Sequence, residues 1–109
     1  MIEKTETIRN KAHLEFIRTL PCLWKGYYPS EAAHIRKGTD GGMGKKPSDS
    51  FVVPLHRDSH YHQHSVGEVT FYNGEIYRAI ELANALYENT GDTQKCLNLL
   101  ARARLDIWQ

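Results

Sequence analysis

Phe51-Val52-Val53-Pro54-Leu55-His56-Arg57-Asp58-Ser59-His60-Tyr61-His62-Gln63-His64-Ser65 changes character once along its length, and that change decides the fold. Its first five residues are apolar, two of them β-branched, which predicts a short buried strand that Pro54 closes or marks as an edge. From Arg57 to Ser65 there is no glycine or proline, and Asp58 and Ser59 suit a first turn or N-cap, so a helix follows directly. Gly67 breaks it. On that helix His60 and His64 stand four residues apart, about 40° around the axis, whereas His62 falls on the other face. Two imidazoles therefore address one point. Neutral imidazole is a common transition-metal ligand, and an i, i+4 pair presents two nitrogens to a single ion. His56, one turn earlier on the same stripe, Asp49 before the strand, His34 and Cys22 are the candidates for further ligands. A surface histidine pair also occurs without metal, and Asp49 in Pro47-Ser48-Asp49-Ser50 also suits a local turn, so both readings stand at this point.

Upstream, Gly38 to Pro47 holds four glycines and reads as a loop. Arg36, Lys37, Lys45 and Lys46 bracket it and Arg57 lies beyond, against Asp40, Asp49 and Asp58; these cations either contact phosphates or keep a loop solvated. Cys22 to Ile35 mixes aromatics with Gly26, Pro29 and Ser30, which predicts two short extended pieces around a turn, a ribbon. Thr5 to Leu20 places Ile8, Ala12, Phe16 and Leu20 at steps of four, an amphipathic helix ended by Pro21. Downstream, two further helices are expected. Glu75 to Glu88 carries Ile76, Ile80, Ala83 and Tyr87 on one side, and Asp92 to Trp108 carries Cys96, Leu99, Leu100, Ala103 and Ile107. Asn89-Thr90-Gly91 separates them as a stop and a new start.

At 109 residues, with 40% hydrophobic and 25% charged, the chain is sized for one α+β domain over 1–109. A formal net charge of +1 excludes nucleic-acid binding driven by a domain-wide basic field and leaves only local charge to do it. No apolar run approaches the roughly 18–20 residues of a membrane span, and Met1-Ile2-Glu3-Lys4 lacks the basic start of a signal segment. Neither membrane insertion nor export is expected. Cys22 and Cys96 cannot build a disulfide framework, which favours a reducing, cytoplasmic setting. The C-terminal helix pair, ending in Ile107-Trp108, carries enough apolar surface for a homodimer.

Ala32-Ala33-His34-Ile35-Arg36, then Gly42-Met43-Gly44-Lys45-Lys46-Pro47-Ser48-Asp49, then Val52-Val53-Pro54-Leu55 and a helix with His60 and Gln63-His64 form a series of elements in fixed order. Over about Cys22 to Glu68 this series resembles the HNH nuclease superfamily, more narrowly the phage-type branch that includes the recombination-enhancement nucleases. The resemblance implies a ββα-metal core flanked by one N-terminal and two C-terminal helices. It also implies cleavage of DNA with one divalent cation (Mg, Mn or Zn), in an intracellular protein encoded by a bacterium or phage and working beside a recombination or phage partner. Residue by residue, His34 would be the general base, Arg36 would fork onto the phosphate, and His60 and His64 would hold the metal with Asp49 as carboxylate partner. Lys37, Lys45, Lys46 and Arg57 would contact DNA.

The chain departs from that family in two places. Many members carry a metal-binding Asp or His immediately before the base, where this chain has Ala33; Glu31, two residues earlier, is the substitute if the strand bends. Many also carry two Cys-x-x-Cys pairs around a structural zinc. Here the corresponding positions are Cys22 with Lys25 and His56 with Ser59, at most two ligands of the four required. Three readings follow: an HNH endonuclease, a DNA-binding or recombination accessory module without cleavage, and a structural zinc domain closed by Cys22, His56, His60 and His64.

Overall fold

In the computed structural model, which describes residues 7–41 and 44–109, seven elements follow one another. They are α1 (Lys11–Arg18), β1 (Glu31–His34), β2 (Val52–Leu55), α2 (Arg57–Val66), α3 (Glu68–Phe71), α4 (Ile76–Glu88) and α5 (Thr93–Trp108). The class is α+β: among the described residues, five helices surround one two-stranded antiparallel sheet. Gly42 and Met43, in the middle of the glycine run, lie outside the described residues, as do Thr5 and Glu6 at the start of the expected first helix.

The two strands pair with Glu31 opposite Leu55 and His34 opposite Val52, so the glycine-rich segment is the connection between them. This corrects the ribbon expected within Cys22 to Ile35. The first half of that stretch is a tight turn instead. Gly26 N–H donates to Cys22 O and Cys22 N–H to Tyr27 O, each at 2.8 Å, and Gly26 takes a φ of 75°. With those backbone groups satisfied in the turn, β1 pairs with the distant β2. Pro54, which has no N–H, is accommodated because each strand of a two-stranded sheet has a free edge, and its carbonyl accepts from Leu23 N–H at 2.8 Å. Val52, Val53 and Leu55 are fully buried, which explains an apolar run without alternation.

α2 follows β2 after the single residue His56, whose ring Nδ1 accepts from Asp58 N–H at 3.2 Å. The N-cap is thus His56, not Asp58 or Ser59. Gly67, at a φ of 91°, ends α2 and turns the chain into the short α3, which the sequence did not announce. α1 begins only at Lys11, because the Asn10 side chain accepts from His13 N–H at 3.0 Å and sets the start there. Its buried face is His13 and Ile17, continued by Leu20, while Ala12 is exposed; the expected stripe is rotated by one residue. A buried polar residue caused the shift: His13 packs edge-on against Tyr87 and its Nδ1 bonds Thr90 Oγ1 at 2.8 Å.

α4 buries Ile76, Ala79, Leu82, Ala83 and Leu86, and α5 buries Cys96, Leu100, Ala103 and Ile107. The two pack as a hairpin, with α4 also against β2. The Asp92 side chain caps α5 by accepting from Lys95 N–H at 3.1 Å. These side chains join Leu23, Ala33, Ile35, Phe71 and Tyr72 in one apolar core. α5 is also bound by polar groups: Arg104 donates to Leu23 O at 2.7 Å and to Cys22 O at 3.0 Å, and Trp108 Nε1–H donates to Phe71 O at 3.0 Å. No helix among the described residues is long and apolar enough to cross a membrane.

Candidate active site

Two histidine constellations sit on the strand–strand–helix unit. The first lies at the end of β1. His34 Nε2 and Asp49 Oδ1 are 2.9 Å apart, and Asp49 is 2% exposed. A carboxylate only accepts, so Nε2 carries the proton and Nδ1 is left with its lone pair. Asp49 Oδ2 accepts from Asn10 N–H at 2.8 Å, and Arg9 lies 3.5 Å from Oδ1. Burial alone would raise the Asp49 carboxyl, but the Asn10 N–H, the His34 ring and the Arg9 charge outweigh it and hold it below the ordinary carboxylate range. Burial lowers His34 below the ordinary imidazole value, the bond to Asp49 opposes this, and the nearby Lys46 and Arg9 charges add to the lowering. The neutral ring is thereby favoured, held at one nitrogen and basic at the other.

The second constellation lies along the exposed stripe of α2. His60 Nε2 and His64 Nε2 are 3.2 Å apart, and the Glu31 carboxylate accepts from His60 Nδ1 at 2.8 Å. The expected convergence of the helix pair is present, and Glu31 joins it. Asp49 does not: its oxygens are taken by His34, Asn10 and Arg9, and it forms no ion pair with either helix histidine. The carboxylates thus fall the other way round from the expectation, Asp49 on the strand histidine and Glu31 on the helix pair. The reason is strand geometry, since Asp49 precedes β2 and lies near the His34 end of the ladder, whereas Glu31 lies opposite Leu55 beside the start of α2.

His60 Nε2 and His64 Nε2 suit a divalent ion, because two ligands at about 2.0–2.1 Å from one metal sit roughly this far apart. Glu31 on Nδ1 supplies the outer carboxylate that fixes the tautomer of a ligating histidine. Among the described residues no group of three or more His, Cys, Asp and Glu side chains is assembled to hold a metal. His34 makes no ring contact with His60 or His64; their rings pack on each other, with centroids 4.8 Å apart. Glu31 and His34 bound β1, about 10 Å apart at strand spacing and on alternate faces of the strand, so His34 and the helix pair form two separate groupings.

The remaining candidates fall elsewhere. His56 caps α2 through Nδ1, and buried Cys22 sits 3.5 Å from Ser59 Oγ. For Cys22 burial would raise the thiol, yet N–H groups of His56, Lys25 and Trp24 with the Ser59 hydroxyl bring it below its usual value. Among the described residues Cys22, His56, His60 and His64 are not assembled as one metal-binding group. Ala33 is fully buried in the core. Arg36 lies beyond the end of β1, and its guanidinium donates to Lys45 O at 3.2 Å. Arg36, Lys37, Lys45, Lys46 and Arg57 are all exposed.

Several supporting residues gave no signal in the sequence. The Glu68 carboxylate accepts from the N–H groups of Arg36 and Lys37, both at 2.8 Å, fixing the exit from β1. Asp40 accepts from Ser48 N–H at 2.8 Å and from its hydroxyl, pinning the far end of the loop. Arg9 donates to Pro47 O at 2.6 Å and Lys46 O at 3.0 Å. Gly41 lies against Pro47, where an added Cβ would meet Cγ at 2.5 Å.

A strand–strand–helix unit carrying an acid-held histidine and a helix histidine pair defines the class of site. A family model described as "Protein of unknown function (DUF968)" matches residues 1–73, and the chain belongs to that family. The match contains both constellations and stops before α4. No curated protein and no solved structure matches the chain.

Proposed function

We propose that the protein is a metal-dependent endonuclease of the HNH type, which hydrolyses phosphodiester bonds in DNA. One observation carries the reading: a histidine held by a buried aspartate lies on the same strand–strand–helix unit as a histidine pair spaced for one cation. His34 Nδ1 takes a proton from the attacking water. The imidazolium formed is stabilised through Nε2–H by Asp49, which also keeps the ring in one tautomer. Lys46, close enough to lower His34, and exposed Lys37, Lys45 and Arg57 neutralise the DNA backbone. Arg36 adds charge with the part of its guanidinium that Lys45 O does not engage. His60 and His64 would hold the ion, oriented by Glu31, and two imidazoles suit Zn or Mn better than Mg. Such an ion supplies Lewis-acid polarisation of the phosphoryl oxygen and charge stabilisation at the leaving 3′ oxygen.

The test is nicking of supercoiled plasmid in Zn²⁺, Mn²⁺ or Mg²⁺, with His34→Ala alongside. The wild type should convert plasmid to the open circle in at least one metal, and His34→Ala should lose about 10²-fold or more in rate while still binding the ion. A protein inert in all three metals would contradict the reading, as would a His34→Ala variant of undiminished rate. Ala33, at the position of a ligand common among HNH nucleases, favours the alternative of a DNA-binding module without cleavage. Retained, salt-dependent DNA binding without nicking would identify it.

A further inference from the structure

At the start of α2, one helical turn from His60, a cleft of about 190 Å³ opens between Trp24, Lys25, Tyr27, His56, Asp58 and Ser59. It is smaller than the roughly 300–1,000 Å³ of sites for drug-sized ligands, and its scale is that of one planar ring system. Three of its six walls are aromatic. Tyr27 meets His56 edge-on with ring centroids 6.3 Å apart, yet is 62% exposed, so much of its ring has no partner. Lys25 Nζ lies over the Trp24 ring, 4.2 Å from the centroid, a cation held by an aromatic face and free to swing to a nearby phosphate. Among the described residues Asp58 is the one acid on the rim, and it lies 3.8 Å from His56 Nδ1 and 3.9 Å from Arg57 Nε. Its charge disfavours a phosphate in the cleft itself. A neutral ring inside and a phosphate outside is the arrangement these charges admit.

The stripe His56, His60, His64 runs from this cleft to the metal pair, with His56 and His60 about 6 Å apart along the axis. That is on the order of one nucleotide step. We propose that the cleft seats one unpaired nucleobase, with Tyr27 stacking on it and Lys25 on the adjoining phosphate, so that the site takes single-stranded or strand-separated DNA. A base inside a duplex is stacked on both faces and cannot enter. The proposal rests on the nuclease reading for its biological substrate, but its test does not use cleavage.

Affinities are measured in EDTA at fixed salt for labelled oligothymidylate, an abasic strand of equal length, oligouridylate and a duplex. The wild type should bind oligothymidylate about tenfold or more tighter than the abasic strand. Tyr27→Ala should erase that ratio, Tyr27→Phe should keep it within about twofold, and Tyr77→Ala, which removes an exposed ring on α4, should leave it intact. Equal binding of the abasic strand, a ratio that survives Tyr27→Ala, or preference for duplex would overturn the proposal; tighter binding of oligouridylate would overturn its assignment to DNA. Nicking of supercoiled plasmid, or of a single-stranded circle, separates the two claims. A protein that nicks but shows no Tyr27-dependent ratio loses the cleft and keeps the nuclease; one that shows the ratio but never nicks keeps the cleft and loses the nuclease.

Discussion

His34 and Asp49 divide one proton problem between them. Asp49 fixes where the proton stays, and the environment of His34 fixes the pH at which Nδ1 is free. Because burial and the Lys46 and Arg9 charges lower His34, the acid limb of a nicking-rate profile should lie below 6.5, the ordinary imidazole value. Asp49→Asn removes the anion that favours the imidazolium and should cut the nicking rate about 10²-fold or more at pH 7.5, as read from the plasmid assay. Acid should also weaken the fold. His13, like His34, is lowered by burial, against the opposing charge of Asp49, so the unfolded chain takes up protons at a higher pH than the native one. Stability is then full above about 6.5 and declines as the pH falls through it, a drop that urea titrations at pH 7.5 and 5.5 will read and that His13→Gln should lessen. Asp40 and Asp49, both below their usual values, add a second loss as the pH falls below 3.8.

Helix α2 shows how far an element can be read from its residues. The i, i+4 spacing of His60 and His64 and the strand before them were legible, because each depends on local geometry alone. The inner face was not. It is polar, with Ser59 on Cys22 and Gln63 Oε1 accepting from the buried Tyr72 hydroxyl at 2.9 Å, so hydropathy gives no hint of which side packs. Tyr72→Phe leaves that oxygen unpaired and should cost about 1–3 kcal/mol in chemical denaturation, and adding Gln63→Leu should recover much of it. The same limit hid His13 and misplaced the stripe of α1. Glu31 and Asp49 were both visible as acids near the site, but their partners depend on which end of a long-range ladder each occupies. Glu31→Gln should reduce metal affinity about 10–100-fold in calorimetry, as loss of an outer partner does at a histidine site.

At the scale of the molecule, α4 and α5 complete a core that the strand–strand–helix unit cannot close by itself. Arg104 holds the Cys22 turn, and Trp108 packs with Trp24, Phe71 and Tyr72. A chain ended at Asn73 should therefore lack a cooperative thermal transition. The late helices were legible as helices from their periodicity, while their attachment to Cys22 and Leu23 was not, since it runs through one arginine and two main-chain carbonyls. Whether the two histidine groupings act together turns on where a cation binds. Crystals grown with Mn²⁺ and a short DNA strand, examined by anomalous scattering, address this most directly. One peak between His60 Nε2 and His64 Nε2, open toward the DNA and with the scissile phosphate between it and His34 Nδ1, is the expected result. A peak at Cys22 and His56, or an ion wholly enclosed by protein ligands, would contradict the account.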